Sequence, residues 1–178
     1  VMNTQRQVIY EERNKILDGK DLNAHIDEVT LDTVQRRVAE FCPEGKGHDE
    51  WDLGGLNKWI AELTGAKELP EIGEEDGQGE VTDAVDAFVD KAFAEKSERL
   101  GDDIMQSLSA QVMLRVIDTR WMAYLQEMDY LKTGIGLRGF GQRDPLVEYK
   151  GEAFAAFTEL VNTMYEDYLR TILRIEVV

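Results

Sequence analysis

The sequence predicts an all-α protein, and three observations carry that prediction. Only three prolines interrupt 178 residues. Ala, Glu, Leu, Lys and Gln, all strong helix formers, are abundant throughout. The Val and Ile residues recur at helical spacing instead of alternating, so no strand with period two can be placed.

Composition bounds the rest. A chain of 178 residues fits one domain, or two small ones sharing helices. A chain near this size hides roughly 70% of its unfolded surface, enough for a real core. Hydrophobic content of 43% and charged content of 31% describe a globular chain, not a disordered one. No apolar run approaches the ~20 residues that span a bilayer, and no leader-like segment is apparent. Cys42, the single cysteine, excludes an intramolecular disulfide and fits a reducing compartment. With Lys+Arg 20 and Asp+Glu 36, the formal net charge is 20 − 36 = −16. Such a surface repels nucleic acid and anionic lipid unless a local basic patch intervenes.

Residues 1–17 read as a helix carrying Val8, Ile9, Ile16 and Leu17, stopped by Asp18-Gly19. No cap precedes Val1, so the chain is expected to start inside a longer helix of a larger protein. Asp21 or Asn23 caps a second helix to about Phe41, buried through Ile26, Leu31, Val34, Val38 and Phe41. Residues 43–47 form a loop. A short helix follows over 51–65, carrying Leu56, Trp59, Ile60 and Leu63. Residues 68–80 (ELPEIGEEDGQGE) are acidic, glycine-rich and without period, which predicts a solvated loop. Thr82-Asp83 restarts a helix through Val85, Phe88, Val89 and Ala92. From Ile104 a long stripe runs through Leu108, Val112, Val116, Trp121, Leu125, Met128 and Leu131.

A glycine-rich turn then separates this stripe from a second helix, opened by Asp144 as cap and Pro145 at the first helical position. Phe154, Phe157, Val161, Met164, Tyr168 and Ile172 follow at steps of three and four, like a coiled-coil seam. Two such stripes joined by a short turn are expected to pack antiparallel. Trp51, Trp59 and Trp121 sit at stripe edges and are expected in the core.

The turn spells Gly134-Ile135-Gly136-Leu137-Arg138-Gly139, letter for letter a GxGxxG motif. A dinucleotide fingerprint needs a strand before it and a helix opening at its third glycine. Here a helical stripe precedes, and the next helix waits for Pro145. Gly134, Gly136, Gly139 and Gly141 are therefore expected to let the chain reverse tightly. Arg138 and Arg143, with Lys132 and Lys150, make the hairpin end locally basic. Helix-dipole compensation explains this, with Lys132 near a helix C-terminus and Asp144 at the next N-terminus. A partner-contacting tip explains it equally. Phe140, a large ring between glycines, favours the tip.

Catalytic and metal-binding signatures are missing. His25 and His48 have no metal-ligand spacing to each other or to Cys42. No GxxxxGK[ST] phosphate loop occurs, and the acidic segment lacks EF-hand spacing.

The run IDTRWMAYLQEMDYLKTGIGLRGFGQRDPLVEYKGEAF, residues 117–154, resembles the two-helix finger of the SecA preprotein translocase ATPases. The resemblance rests on Asp118, Trp121, Met128-Asp129-Tyr130-Leu131, Gly134-Ile135, Leu137-Arg138-Gly139, Gln142, Asp144-Pro145 and Glu148-Tyr149-Lys150. NTQRQVIYEERNKIL resembles the end of the family's long scaffold helix, and Trp51-Asp52-Leu53 with Gly55-Leu56 its helical wing. The fold this implies is all-α: long scaffold helices with an antiparallel two-helix finger and an inserted, smaller helical wing. Residues 1–22 and 100–178 would be scaffold, 117–155 the finger, and 23–99 the wing.

The resemblance further implies a part of the protein-export motor. Its finger loop, residues Arg138, Gly139, Phe140, Gly141, Gln142 and Arg143, would contact the preprotein at the mouth of the SecYEG channel. The same resemblance implies a cytoplasmic protein peripherally associated with the cytoplasmic membrane. ATP and Mg would bind motor domains held in cis, outside these residues, leaving this segment without a cofactor, zinc or nucleic acid, and not itself an enzyme. An apolar face meant for those domains makes a homodimer of the isolated chain a further expectation. The alternative is a purely structural helical module with no polypeptide contact. This chain departs from the family at Phe140, where a tyrosine is usual, and at Gly136 and Tyr124, where histidines are common. Those departures weaken any role that needs a titratable group there.

Overall fold

The structure, a computed structural model, describes residues 1–138, 141 and 144–176. Among them the helices are α1 (Met2–Asp18), α2 (Leu22–Phe41), α3 (Leu53–Thr64), α4 (Gln78–Leu100), α5 (Asp102–Arg138) and α6 (Pro145–Arg174). One 3₁₀ turn, His48–Glu50, lies between α2 and α3. No strand occurs among the described residues, so the fold is all-α. The stop after α1 is Gly19, whose φ of 69° is the left-handed conformation glycine adopts freely, with its N–H bonded to the Lys15 carbonyl. Gly101, at φ 90°, separates α4 from α5. The predicted start of α6 holds: Asp144 Oδ1 accepts the Leu146 N–H at 3.0 Å.

The chain forms two compact units. The first comprises Val1–Lys20 and Ala110–Met164. Its core includes Ile9, Ile16, Met113, Ile117, Trp121, Tyr124, Met128, Leu160 and Met164, each worth about 1.5–3 kcal/mol of apolar transfer when fully buried. The second comprises Asp21–Ser109 and Tyr165–Val178. There α2 packs on α3 and α4 around Val34, Val38, Leu56, Ile60, Leu63, Val81 and Val85, with Tyr168, Leu169 and Ile172 of α6 also buried.

Several expectations need correction. α5 does not stop before Gly134; it continues to Arg138, so Gly134 and Gly136 are helical and Lys132 lies more than a turn inside the helix. Helical glycines cost about 1 kcal/mol each against alanine, a loss offset here because Ile135 between them is buried. The buried faces of α5 and α6 follow the expected stripes in part: Val112, Trp121 and Met128 on α5 and Met164, Tyr168 and Ile172 on α6 are buried as expected. Met105, Ser109, Met113, Ile117 and Tyr124 are buried on α5, whereas Ile104 is exposed and Leu108, Val116, Leu125 and Leu131 are half-buried. On α6 Ala153 is fully buried and Phe154 is 75% exposed. Small residues permit close helix approach, so the bulkier neighbour is turned outward. Val8, Leu17 and Leu31 are exposed, while their helices bury the neighbouring Ile9, Ile16 and Thr30. α4 starts at Gln78, not Thr82, because the Glu80 carboxylate accepts the Gly77 N–H at 2.8 Å and caps the helix earlier. Trp59 and Trp121 are core residues, but Trp51 is half-buried outside α3, stacked on His48 at 4.1 Å.

One carboxylate organises the second unit. Glu166 of α6 accepts both Arg37 Nε and Nη2 of α2, at 2.8 and 2.7 Å, and the indole N–H of Trp59 from α3. Burial pushes the Glu166 carboxyl up, but Arg37 and the Trp59 N–H, with Arg170, hold it below the usual range. Removing one partner of such a pair strands a buried charge. Arg37→Ala is therefore expected to cost about 2–3 kcal/mol at pH 7, at the low end because the guanidinium is partly solvated. A depressed carboxyl contributes stability above its unfolded value of about 4.3, lost as pH falls through the lower folded value. Melting curves between pH 3 and 7 should show that acid-side loss in wild type and a weaker one in Arg37→Ala.

Candidate functional site

The segment joining α5 to α6 was singled out by sequence, and the structure brackets it. α5 reaches Arg138 and α6 begins at Pro145. Gly139, Phe140, Gln142 and Arg143 lie outside the described residues, as does the Arg138 side chain; Gly141 is exposed.

Three helices converge behind that end. The Tyr124 hydroxyl of α5 donates to Gln5 Oε1 of α1 at 2.6 Å. Gln5 Nε2 in turn donates to the Ala153 carbonyl of α6 at 3.2 Å, and the hydroxyl lies 3.2 Å from the same carbonyl. Gln5, Tyr124 and Ala153 are all buried. The Tyr124 ring stacks on Trp121 at 5.5 Å and meets Phe157 edge-on at 6.0 Å. Burial pushes the phenol up to about 12, the Gln5 bond opposing it in part, so the hydroxyl remains a donor at neutral pH. A more exposed pair, Arg13 to Asp118 at 3.0 Å, joins α1 to α5 further along. Residue 5 thus meets 124 while 13 meets 118, which makes α1 and α5 antiparallel. Sequence reasoning missed the Gln5–Tyr124–Ala153 junction; a glutamine on the same helical face as Ile9 and Ile16 was its one local signal.

Apolar side chains flank the joining segment without being buried. Tyr130 is 82% and Leu137 68% exposed on α5; Val147 and Phe154 are 65% and 75% exposed on α6. Each pair is seven residues apart, two turns, and so shares one helix face. Apolar surface of this kind gains by contact with another chain.

His48 bonds the Asp76 carbonyl at 2.6 Å, and His25 meets the Tyr165 ring edge-on at 6.2 Å. Cys42 is fully buried, and burial, helped by Asp52, pushes its thiol up. Among the described residues no three His, Cys, Asp or Glu side chains gather as a metal-ligating set. The second unit carries an open groove of about 330 Å³ between α2 and α4, with Ile26 and Phe93 in its wall and Asp27 and Asp90 on its rim. Asp86 lies on the same helix, with an Oδ1 that is buried and meets no donor among the described residues.

Comparison with known proteins places these features in a family. The family model described as SecA Wing and Scaffold domain matches residues 1–176. The chain is 38% identical over 182 residues to the protein translocase subunit SecA of Syntrophomonas wolfei, covering all of this chain and 22% of that relative. It is 36% identical over 183 residues to the subunit of Desulforamulus reducens, covering 99% of the chain and 20% of the relative. The subunit of Xanthomonas campestris is 35% identical over 181 residues, with 99% and 20% covered. The chain thus spans about a fifth of the length of the curated relatives it matches.

The acidic face of α4 makes a pH-dependent prediction. Burial, then Asp90, Asp27 and Asp83, push the Asp86 carboxyl up to about 6. A raised carboxyl favours the folded state below its unfolded value of about 3.9 and loses that advantage as pH rises through 6. Asp86→Asn is expected to raise the melting midpoint by a few degrees at pH 7.5 and leave it unchanged at pH 4, which calorimetry at the two pH values checks.

Proposed function

From the premise that this chain belongs to the SecA family, as its wing and scaffold region, we propose that it is part of a protein-export motor. In this reading the ends of α5 and α6, with the segment between them, form a two-helix finger. Its loop, centred on Phe140 with Arg138 and Arg143 beside it, contacts the preprotein at the mouth of the SecYEG channel. Residues 1–22 and 100–178 serve as scaffold and 23–99 as wing. The motor domains that bind ATP and Mg lie elsewhere in the full protein and drive the finger through the scaffold helices. The protein works at the cytoplasmic membrane as a peripheral partner; none of its described helices is long and apolar enough to cross one.

The observation that carries this reading is the joining segment itself. Two helices tied together by a buried junction are joined by a segment whose sequence holds an aromatic residue between glycines, and exposed apolar residues flank it on both helices. An aromatic ring holds varied side chains by dispersion and apolar contact without reading their identity. That tolerance suits a partner whose sequence changes continuously as it moves. Arg138 and Arg143 add local positive charge in a chain whose net charge is −16.

In the full-length protein, Phe140→Gly is expected to slow preprotein translocation about tenfold, in line with about 1.4 kcal/mol of lost apolar contact. Phe140→Tyr keeps the ring and should stay within about twofold of wild type on the same grounds. Melting should be unchanged in both. Translocation at wild-type rate in the glycine variant would contradict the tip contact and favour a purely structural helical frame.

A further inference from the structure

We propose that Tyr124 is a positioning residue: with Gln5 and the Ala153 carbonyl it sets the register of α5 against α6 and couples both to α1. The inference rests on the finger reading above and names what holds the finger in place. Apolar packing alone tolerates sliding, because a helix shifted by one turn presents a similar stripe. A hydrogen-bonded junction does not. The Gln5 amide has one carbonyl oxygen and one N–H₂ group, and it satisfies the Tyr124 hydroxyl with the first and Ala153 with the second. Moving α6 by one residue rotates the Ala153 carbonyl by about 100° and shifts it about 1.5 Å, which breaks the link to Gln5. All three groups are buried, so water does not replace the lost partner.

The junction is also well placed along the helices. Ala153 lies eight residues after Pro145, and Tyr124 fourteen residues before Arg138. At 1.5 Å per residue the end of the pair projects about 12 Å beyond the junction along α6 and about 21 Å along α5. A slip of one turn at the root displaces the end by about 5 Å, more than the reach of a side-chain contact. The junction carries α1 as well, so a displacement of that helix acts on α5 and α6 at one shared point. Trp121 and Phe157 pack against the Tyr124 ring.

The test uses the full-length protein with three variants: Tyr124→Phe, which removes only the hydroxyl, Gln5→Leu, and the two combined. Preprotein translocation, basal ATPase and melting are read at two temperatures, with Phe140→Gly alongside. Each single variant should slow translocation about fivefold, the fold-change that about 1 kcal/mol of hydrogen bonding represents. Basal ATPase should be unchanged. The double variant should be slowed by less than the product of the two single effects, because the Tyr124–Gln5 bond is lost in each of them. Cooling should restore no activity, since the defect is of position and not of unfolded protein. Wild-type translocation in Tyr124→Phe, additive effects in the double variant, or recovery on cooling would each overturn the inference. If Phe140→Gly is slow while Tyr124→Phe is not, the junction fails and the tip contact stands. If Tyr124→Phe is slow and Phe140→Gly is not, the junction stands without the tip contact.

Discussion

The Tyr124 hydroxyl is the point on which the first unit depends. It ties α5 to α1, and the same glutamine that receives it ties α1 to α6. Everything apolar around it, from Ile9 to Met128, adds more free energy but less direction. A buried polar group must find its partner at one distance and angle or lose about 1–3 kcal/mol, so it selects among packings that hydrophobic burial alone leaves nearly equal. The second unit uses the same device in charged form, with Glu166 receiving Arg37 and Trp59 from two other helices. Its α6 helix therefore contributes a fixing group to each unit, a main-chain carbonyl at 153 and a carboxylate at 166.

Much of the fold could be read from local patterns, and the limits are physical. Asp18-Gly19 and Asp144-Pro145 act through their own backbone, so the end of α1 and the start of α6 were legible. The long stripes were legible as helices, and their buried faces only in part: Trp121, Met128, Met164, Tyr168 and Ile172 are inside as their spacing implied. Phe154 outweighs Ala153 in any local measure of hydrophobicity, yet Ala153 is the residue inside because α1 approaches its carbonyl. The glycines at 134 and 136 read as a turn because their propensity is poor, and burial of Ile135 overrode that preference. Neither junction was legible. Gln5 and Tyr124 are 119 residues apart, and Trp59 and Glu166 107, and no window along the chain contains both members.

The candidate site was legible in a different way. Its residue types pointed to it: a phenylalanine between glycines, with arginines on both sides, in a chain of net charge −16. What the residues alone did not disclose is that α5 and α6 carry exposed apolar side chains on either side of that segment, so the proposed contact surface extends beyond the loop. Under the proposed function such a surface has a meaning, since an export motor would have to hold a chain whose composition it cannot anticipate. Rigidity at the root and tolerance at the end are then complementary requirements. In the proposed function the first would be met by the buried, directional junction and the second by a non-directional aromatic contact.

The contact proposed between residue 140 and the polypeptide being moved can be tested directly. The direct measurement places a photo-crosslinking amino acid at position 140 of the full-length protein and illuminates it with a preprotein stalled partway through the channel. The account predicts capture of the stalled preprotein, dependent on ATP and abolished when the preprotein is omitted. Capture confined to neighbouring segments of the same protein, with the preprotein demonstrably in the channel, would contradict it.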